Sequence, residues 1–161
     1  MAIAALITWI ITAGFGLFML GTWLRGARTS GAGGATASHF PPPVVFGHFL
    51  LATAGLVVWV IYVINDSEVL AWLAFIALLV VATFGDVLVL RWAKDRRSAG
   101  ATTGDLPARQ AMSGEADAPA AGAVLTLAEQ RIPLAVVVVH GVFAVTTLVL
   151  VLLAALEVGG S

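Results

Sequence analysis

The sequence predicts an all-α integral membrane protein, a bundle of four transmembrane helices. Three observations carry this: 60% hydrophobic against 11% charged residues, a mean hydropathy of +1.03, and four uninterrupted apolar stretches of spanning length. A soluble domain would carry about a quarter charged residues. A hydrocarbon core of ~30 Å needs ~20 helical residues, and residues 3–24, 43–64, 69–92 and 132–156 each supply that length. Barrel strands alternate apolar and polar side chains in segments of ~10 residues. The second stretch is apolar throughout, so a helix is the spanning form that satisfies its backbone. All 161 residues read as one membrane domain.

Helix 1 carries no positive charge ahead of its apolar run and is followed by Arg25 and Arg28, unlike a cleavable signal peptide, so it is expected to be retained. The connection to helix 2 starts with small residues and ends in His39, Phe40 and three prolines, which favours an extended approach with His39 in solvent. Helices 2 and 3 are joined only by Asn65, Asp66, Ser67 and Glu68, so they form an antiparallel hairpin. Asp66 or Ser67 is placed to cap helix 3, and Glu68 suits its positive N-terminal end. Residues 93–131 are dominated by Ala, Gly, Thr, Asp and Pro as far as Gly122 and are expected to form a long flexible loop. Near its end Thr126 and Glu129 have the spacing of a capping box, flanked by Val124, Leu125 and Leu127, which predicts a short interfacial helix before Pro133.

Orientation follows from the basic residues, which collect on the cytoplasmic side. All eight fall on one side of the bundle, namely Arg25, Arg28, Arg91, Lys94, Arg96, Arg97, Arg109 and Arg131. The other side carries Asp66, Glu68 and Glu157. Both termini are therefore expected outside a bacterial inner membrane and both long loops in the cytoplasm. Trp23 and Trp92 are expected at the inner interface; Trp9, Trp59, Tyr62 and Trp72 are expected at the outer one.

The halves of the chain look related, as if a two-helix unit had been duplicated. Phe15, Gly16, Trp23, Arg25 and Arg28 align at one constant offset with Phe84, Gly85, Trp92, Lys94 and Arg97. His48, Ala52, Leu56 and Val57 align at a second offset with His140, Ala144, Leu148 and Val149. Such a duplication predicts a pseudo-two-fold axis along the membrane normal.

Function is bounded first by exclusion. A net charge of −1 gives no basic field for nucleic acid. Without cysteine there is no disulfide, thiol chemistry, Fe–S cluster or covalently attached haem, so any cofactor must be held by His, Asp, Glu or Met. No phosphate-binding loop, nucleophile elbow or His-Glu-x-x-His motif occurs, so no catalytic activity is expected. Three ionisable residues lie within the spans, His48, Asp86 and His140. At ~1.5 Å rise per residue they share one layer roughly 7–11 Å inside the basic edge. A buried carboxylate is costly in a membrane, so Asp86 is expected to face a polar partner in the bundle or on another subunit. If the helices pack in sequential order, helices 2 and 4 are diagonal, and two inward imidazoles could bracket a b-type haem, with Gly16, Gly47, Gly55, Gly85 and Gly141 making room for the macrocycle. With Asp86 included, the same layer reads as a His/His/carboxylate metal site. In general terms the layer resembles the paired histidines of membrane b-type cytochromes, although the several histidines of their two-haem pattern are absent. The sequence points first to a small non-catalytic accessory or assembly subunit of a larger respiratory or electron-transfer complex. Next come a haem- or metal-binding redox protein using His48 and His140, and a small proton-coupled transporter.

Overall fold

The computed structural model describes residues 1–29, 38–113 and 128–156, with side chains for 1–28, 38–98 and 128–156. Four helices dominate: α1 (Ala2–Thr29), α2 (Pro42–Asn65), α3 (Glu68–Ser113) and α4 (Leu134–Ala155), with a 3₁₀ turn at Ala128–Arg131 before α4. Each helix contains a segment long and apolar enough to cross a membrane. Their outward faces are apolar, with Leu50, Ile64, Leu90 and Val145 among the exposed side chains.

Two helix ends follow from local chemistry. Pro42 opens α2 where its missing N–H would have no helical partner anyway. Asp66 closes α2 in the left-handed region at φ 52°, which a short polar side chain tolerates, and its N–H bonds Tyr62 O at 2.7 Å. The α2–α3 hairpin is therefore as tight as expected. The capping of α3 comes from the Ser67 carbonyl, which accepts the N–H groups of Leu70 and Ala71.

The main departure concerns α3, which continues through Ser113 in place of the flexible loop expected from Ala93. The residues after Trp92 are strong helix formers, Ala93, Lys94, Arg96 and Arg97 among them, and this favours continuation. Asp95 anchors the extension, receiving the His39 ring at 2.9 Å. The expected short helix before Pro133 is the 3₁₀ turn. Thr126, Val124, Leu125 and Leu127 lie outside the described residues, and the Glu129 carboxylate accepts the backbone N–H of His39 at 2.7 Å.

The helices form a square in chain order. α1 packs on α2 and α4, and α3 packs on α2 and α4, so α1/α3 and α2/α4 are the diagonals. Tryptophans fill both ends of the interior instead of only rimming the outside. At one end Trp9 and Trp59 meet at 6.4 Å between ring centres, Trp59 meets Tyr62 at 4.6 Å, and the fully buried Trp59 donates to Ala2 O at 3.3 Å. At the basic end Trp23 and Trp92 are buried with Phe40, Val45, Ala128 and Ile132. There the 3₁₀ turn seats on α1, and a Cβ at Gly26 would come within 2.8 Å of the Ala128 Cα.

Candidate functional site: a reciprocal histidine pair

His48 and His140 converge. Their ring centres lie 6.4 Å apart across the α2/α4 diagonal, with the planes inclined at 54°. Each imidazole reaches over to the neighbouring helix of the other half. His48 Nδ1 lies 2.9 Å from Val81 O on α3, and His140 Nδ1 lies 3.0 Å from Thr12 O on α1. A carbonyl can only accept, so Nδ1 carries the hydrogen in both rings. In the neutral imidazole, Nε2 is then the nitrogen with the free lone pair.

Glycines make these contacts possible. A helical carbonyl already accepts the N–H four residues later and keeps a second lone pair. Four residues after Thr12 is Gly16, and four after Val81 is Gly85. A Cβ on Gly16 would stand 3.3 Å from His140 Cε1, and one on Gly85 would stand 3.2 Å from His48 Cε1. The missing side chains open the niche through which each ring reaches its carbonyl. Thr12 and Val81 stand at the same offset that aligns Phe15–Gly16 with Phe84–Gly85, so the two halves build the same contact twice.

The glycine roles thus differ from the expectation of a vacated slab for a macrocycle. Gly16 and Gly85 seat the imidazoles themselves, Gly47 faces Phe84, and Gly55 faces Trp9 and Ala77. A Cβ on Gly141 would meet nothing within 4 Å.

Asp86 does not join the pair. It is exposed on α3, and among the described residues it makes no hydrogen bond or ion pair. Its neighbour Gly85 faces His48, and one residue further along a helix turns the side chain by about 100°. The His/His/carboxylate set expected from depth alone is therefore not assembled. His39 is exposed, as expected from its Pro-rich segment, yet its ring is bonded to Asp95. Glu129, read as a capping residue, is fully buried and stands in the same group as His39 and Asp95.

No protein-family model matches this chain, and no curated protein or solved structure matches it either.

Proposed function

We infer that the chain is a multi-pass protein of a bacterial inner membrane that binds one b-type haem between His48 and His140 and serves as a small electron-transfer subunit of a larger respiratory assembly. The observation that carries this reading is the convergence of the two imidazoles with both Nδ1 atoms committed to backbone carbonyls. Metal-bound histidines characteristically donate the other ring N–H in this way, which fixes ring orientation and leaves the opposite nitrogen for the metal. Two imidazoles on opposite sides of one metal, with bonds of ~2.0–2.1 Å, hold their ring centres roughly 6 Å apart. The separation here is 6.4 Å.

Charge selects among the groups that could sit there. A bare dication between two neutral imidazoles in an apolar layer leaves its charge unbalanced, and Asp86 is not there to offset it. Haem brings its own four nitrogen donors and two negative charges, so two neutral imidazoles complete its coordination. When bound, haem would supply a one-electron redox couple, and His48 and His140 would hold it within the bundle. The apolar outward surface supports membrane insertion, and the segregated basic residues support loops in the cytoplasm with both termini outside.

A cofactor-free accessory subunit is the second reading, favoured by the glycine niches that the imidazoles already fill. One experiment separates the two. The full chain, purified in mild detergent from cells supplied with haem, should give a Soret band and a reduced-minus-oxidised α band at about one haem per chain. His48→Ala and His140→Ala should each abolish the six-coordinate spectrum. A wild-type protein with no Soret band, co-migrating in fixed stoichiometry with larger membrane proteins, would replace the haem reading with the accessory one.

A further inference from the structure

The basic end of the bundle contains a second group of potential ligands, separate from the histidine pair. His39, from the Pro-rich approach to α2, Asp95, from the extension of α3, and Glu129, from the 3₁₀ turn, each bring a ligand atom to within 4.8 Å of the others. Asp95 is only 9% exposed and Glu129 is 0% exposed. One oxygen of each carboxylate is engaged: His39 Nδ1 lies 2.9 Å from Asp95 Oδ1, and His39 N donates to Glu129 Oε1 at 2.7 Å. The other two oxygens, Asp95 Oδ2 and Glu129 Oε2, are sealed from solvent and have no hydrogen-bond partner among the described residues.

Buried carboxylate oxygens are normally paired, because removing them from water is costly. The guanidinium groups nearby are committed elsewhere. Arg91 donates to His39 O; Arg96 donates to Ile132 O and lies over the Trp92 ring at 5.0 Å. Among the described residues no lysine or arginine forms an ion pair with either carboxylate. Two acidic groups converging in a largely closed site, with an imidazole beside them and no lysine or arginine paired to either among the described residues, make a pocket of negative potential that a cation relieves.

We propose that His39, Asp95 and Glu129 form a binding site for one divalent transition-metal ion, of the zinc or manganese class, that clasps the Pro-rich segment and the 3₁₀ turn to α3. The donor set decides the class, since one imidazole with two carboxylates suits zinc, manganese or iron(II), whereas magnesium and calcium take oxygen donors. Metal bonds of ~2.0–2.2 Å space neighbouring donors roughly 3–4.4 Å apart, and the three ligand atoms already lie within 4.8 Å of one another, so small side-chain adjustments bring them onto one ion. On metal binding the imidazole turns from Asp95 Oδ1 to the ion, and the two unpartnered oxygens gain their missing contact. The His39 side chain is 54% exposed, which leaves an entry path and an open position for water. The site lies outside the apolar layer and does not depend on the haem reading.

Tag-free full-length protein, stripped with chelator and dialysed against Zn²⁺ in mild detergent, should retain one ion per chain, with affinity on the order of micromolar or tighter. Added Zn²⁺ should raise the unfolding temperature, as any ligand of the folded state does. Asp95→Asn, Glu129→Gln and His39→Ala should each weaken binding at least tenfold and remove the thermal shift. His48→Ala and His140→Ala should leave both unchanged. His39→Ala alters an exposed side chain, so it keeps the test decisive if a carboxylate variant fails to fold. A wild-type protein that retains no zinc, or variants that bind as tightly as wild type, would overturn the assignment.

Discussion

Replacing Gly26 by alanine should destabilise the basic end of the bundle, although alanine is the better helix former. The added methyl would stand 2.7 Å from the Ala128 Cβ and 2.8 Å from its Cα, whereas ordinary contact begins at 3.4 Å. The 3₁₀ turn would have to retreat by about 0.7 Å, and the obstacle includes backbone, which cannot rotate away. Overpacking of this kind costs ~1–3 kcal/mol. The gain from replacing glycine in a helix is ~0.8–1.0 kcal/mol, so the net effect is a loss of roughly 0–2 kcal/mol. Gly14→Ala is the matched control, since nothing lies within 4 Å of that position. It should gain up to ~1 kcal/mol. Thermal or denaturant unfolding in detergent, with wild type, Gly14→Ala and Gly26→Ala side by side, reads the difference. If Gly26→Ala proves as stable as Gly14→Ala, the turn is not seated on α1 as described, and the placement of Glu129 falls with it.

Gly16→Val and Gly85→Val should each push an imidazole off its carbonyl, at a stability cost of ~1–3 kcal/mol, and should remove the Soret band that the proposed haem would give; two variants as stable as wild type would contradict the reciprocal niches. Thr147 is 1% exposed and its hydroxyl lies 3.0 Å from that of Thr8 on α1 and 2.8 Å from Phe143 O. Thr147→Val should therefore weaken α1–α4 packing by ~0.6–1.7 kcal/mol, measured by unfolding in detergent, and a more stable variant would show that the hydroxyl pair contributes nothing. Cysteines introduced at Ser30, Ser113 and Ser161 into this cysteine-free chain should report the topology. Labelling of Ser113→Cys by an impermeant reagent from outside intact cells would reverse the proposed orientation.

The spans were legible because length and apolarity of a run are properties of the chain itself, and the two-residue link between α2 and α3 permits only a hairpin. Depth was legible too, since helical rise places His48 and His140 in one layer whatever their neighbours. Rotation was not. A helix that is apolar on all sides carries no sequence mark of which face turns inward, so the choice for Asp86 between the bundle and another subunit stays open in the sequence, and in the structure it lies exposed on α3. The glycines illustrate the same limit: their pairing was visible, but their purpose depends on which helix packs opposite. The small-residue composition after Ala93 reads as a flexible loop, and α3 nevertheless continues through Ser113. The group of His39, Asp95 and Glu129 left no local trace, because its members are 56 and 90 residues apart along the chain and meet only when the ends of α1 and α3 are packed.

The crossed contacts of the histidine pair bear on how such a chain could arise. A single α1–α2 hairpin holds His48 without its acceptor and the Thr12 carbonyl without its donor; both needs are met by the other half. A half-length ancestor built this way would have been an obligate homodimer, each copy lending its imidazole to the other across a symmetry axis. Joining the copies in one gene makes that association independent of concentration, because the partner is always attached. It would also release the halves from identity, and the basic end does differ between them. Trp23 Nε1 donates to Ser38 while that of Trp92 has no partner among the described residues, and the positions matching Asp95 and His39 hold Gly26 and Arg131. A homodimer would have had to carry every such feature in duplicate; a fused chain could keep a symmetric centre and add a single asymmetric contact beside it.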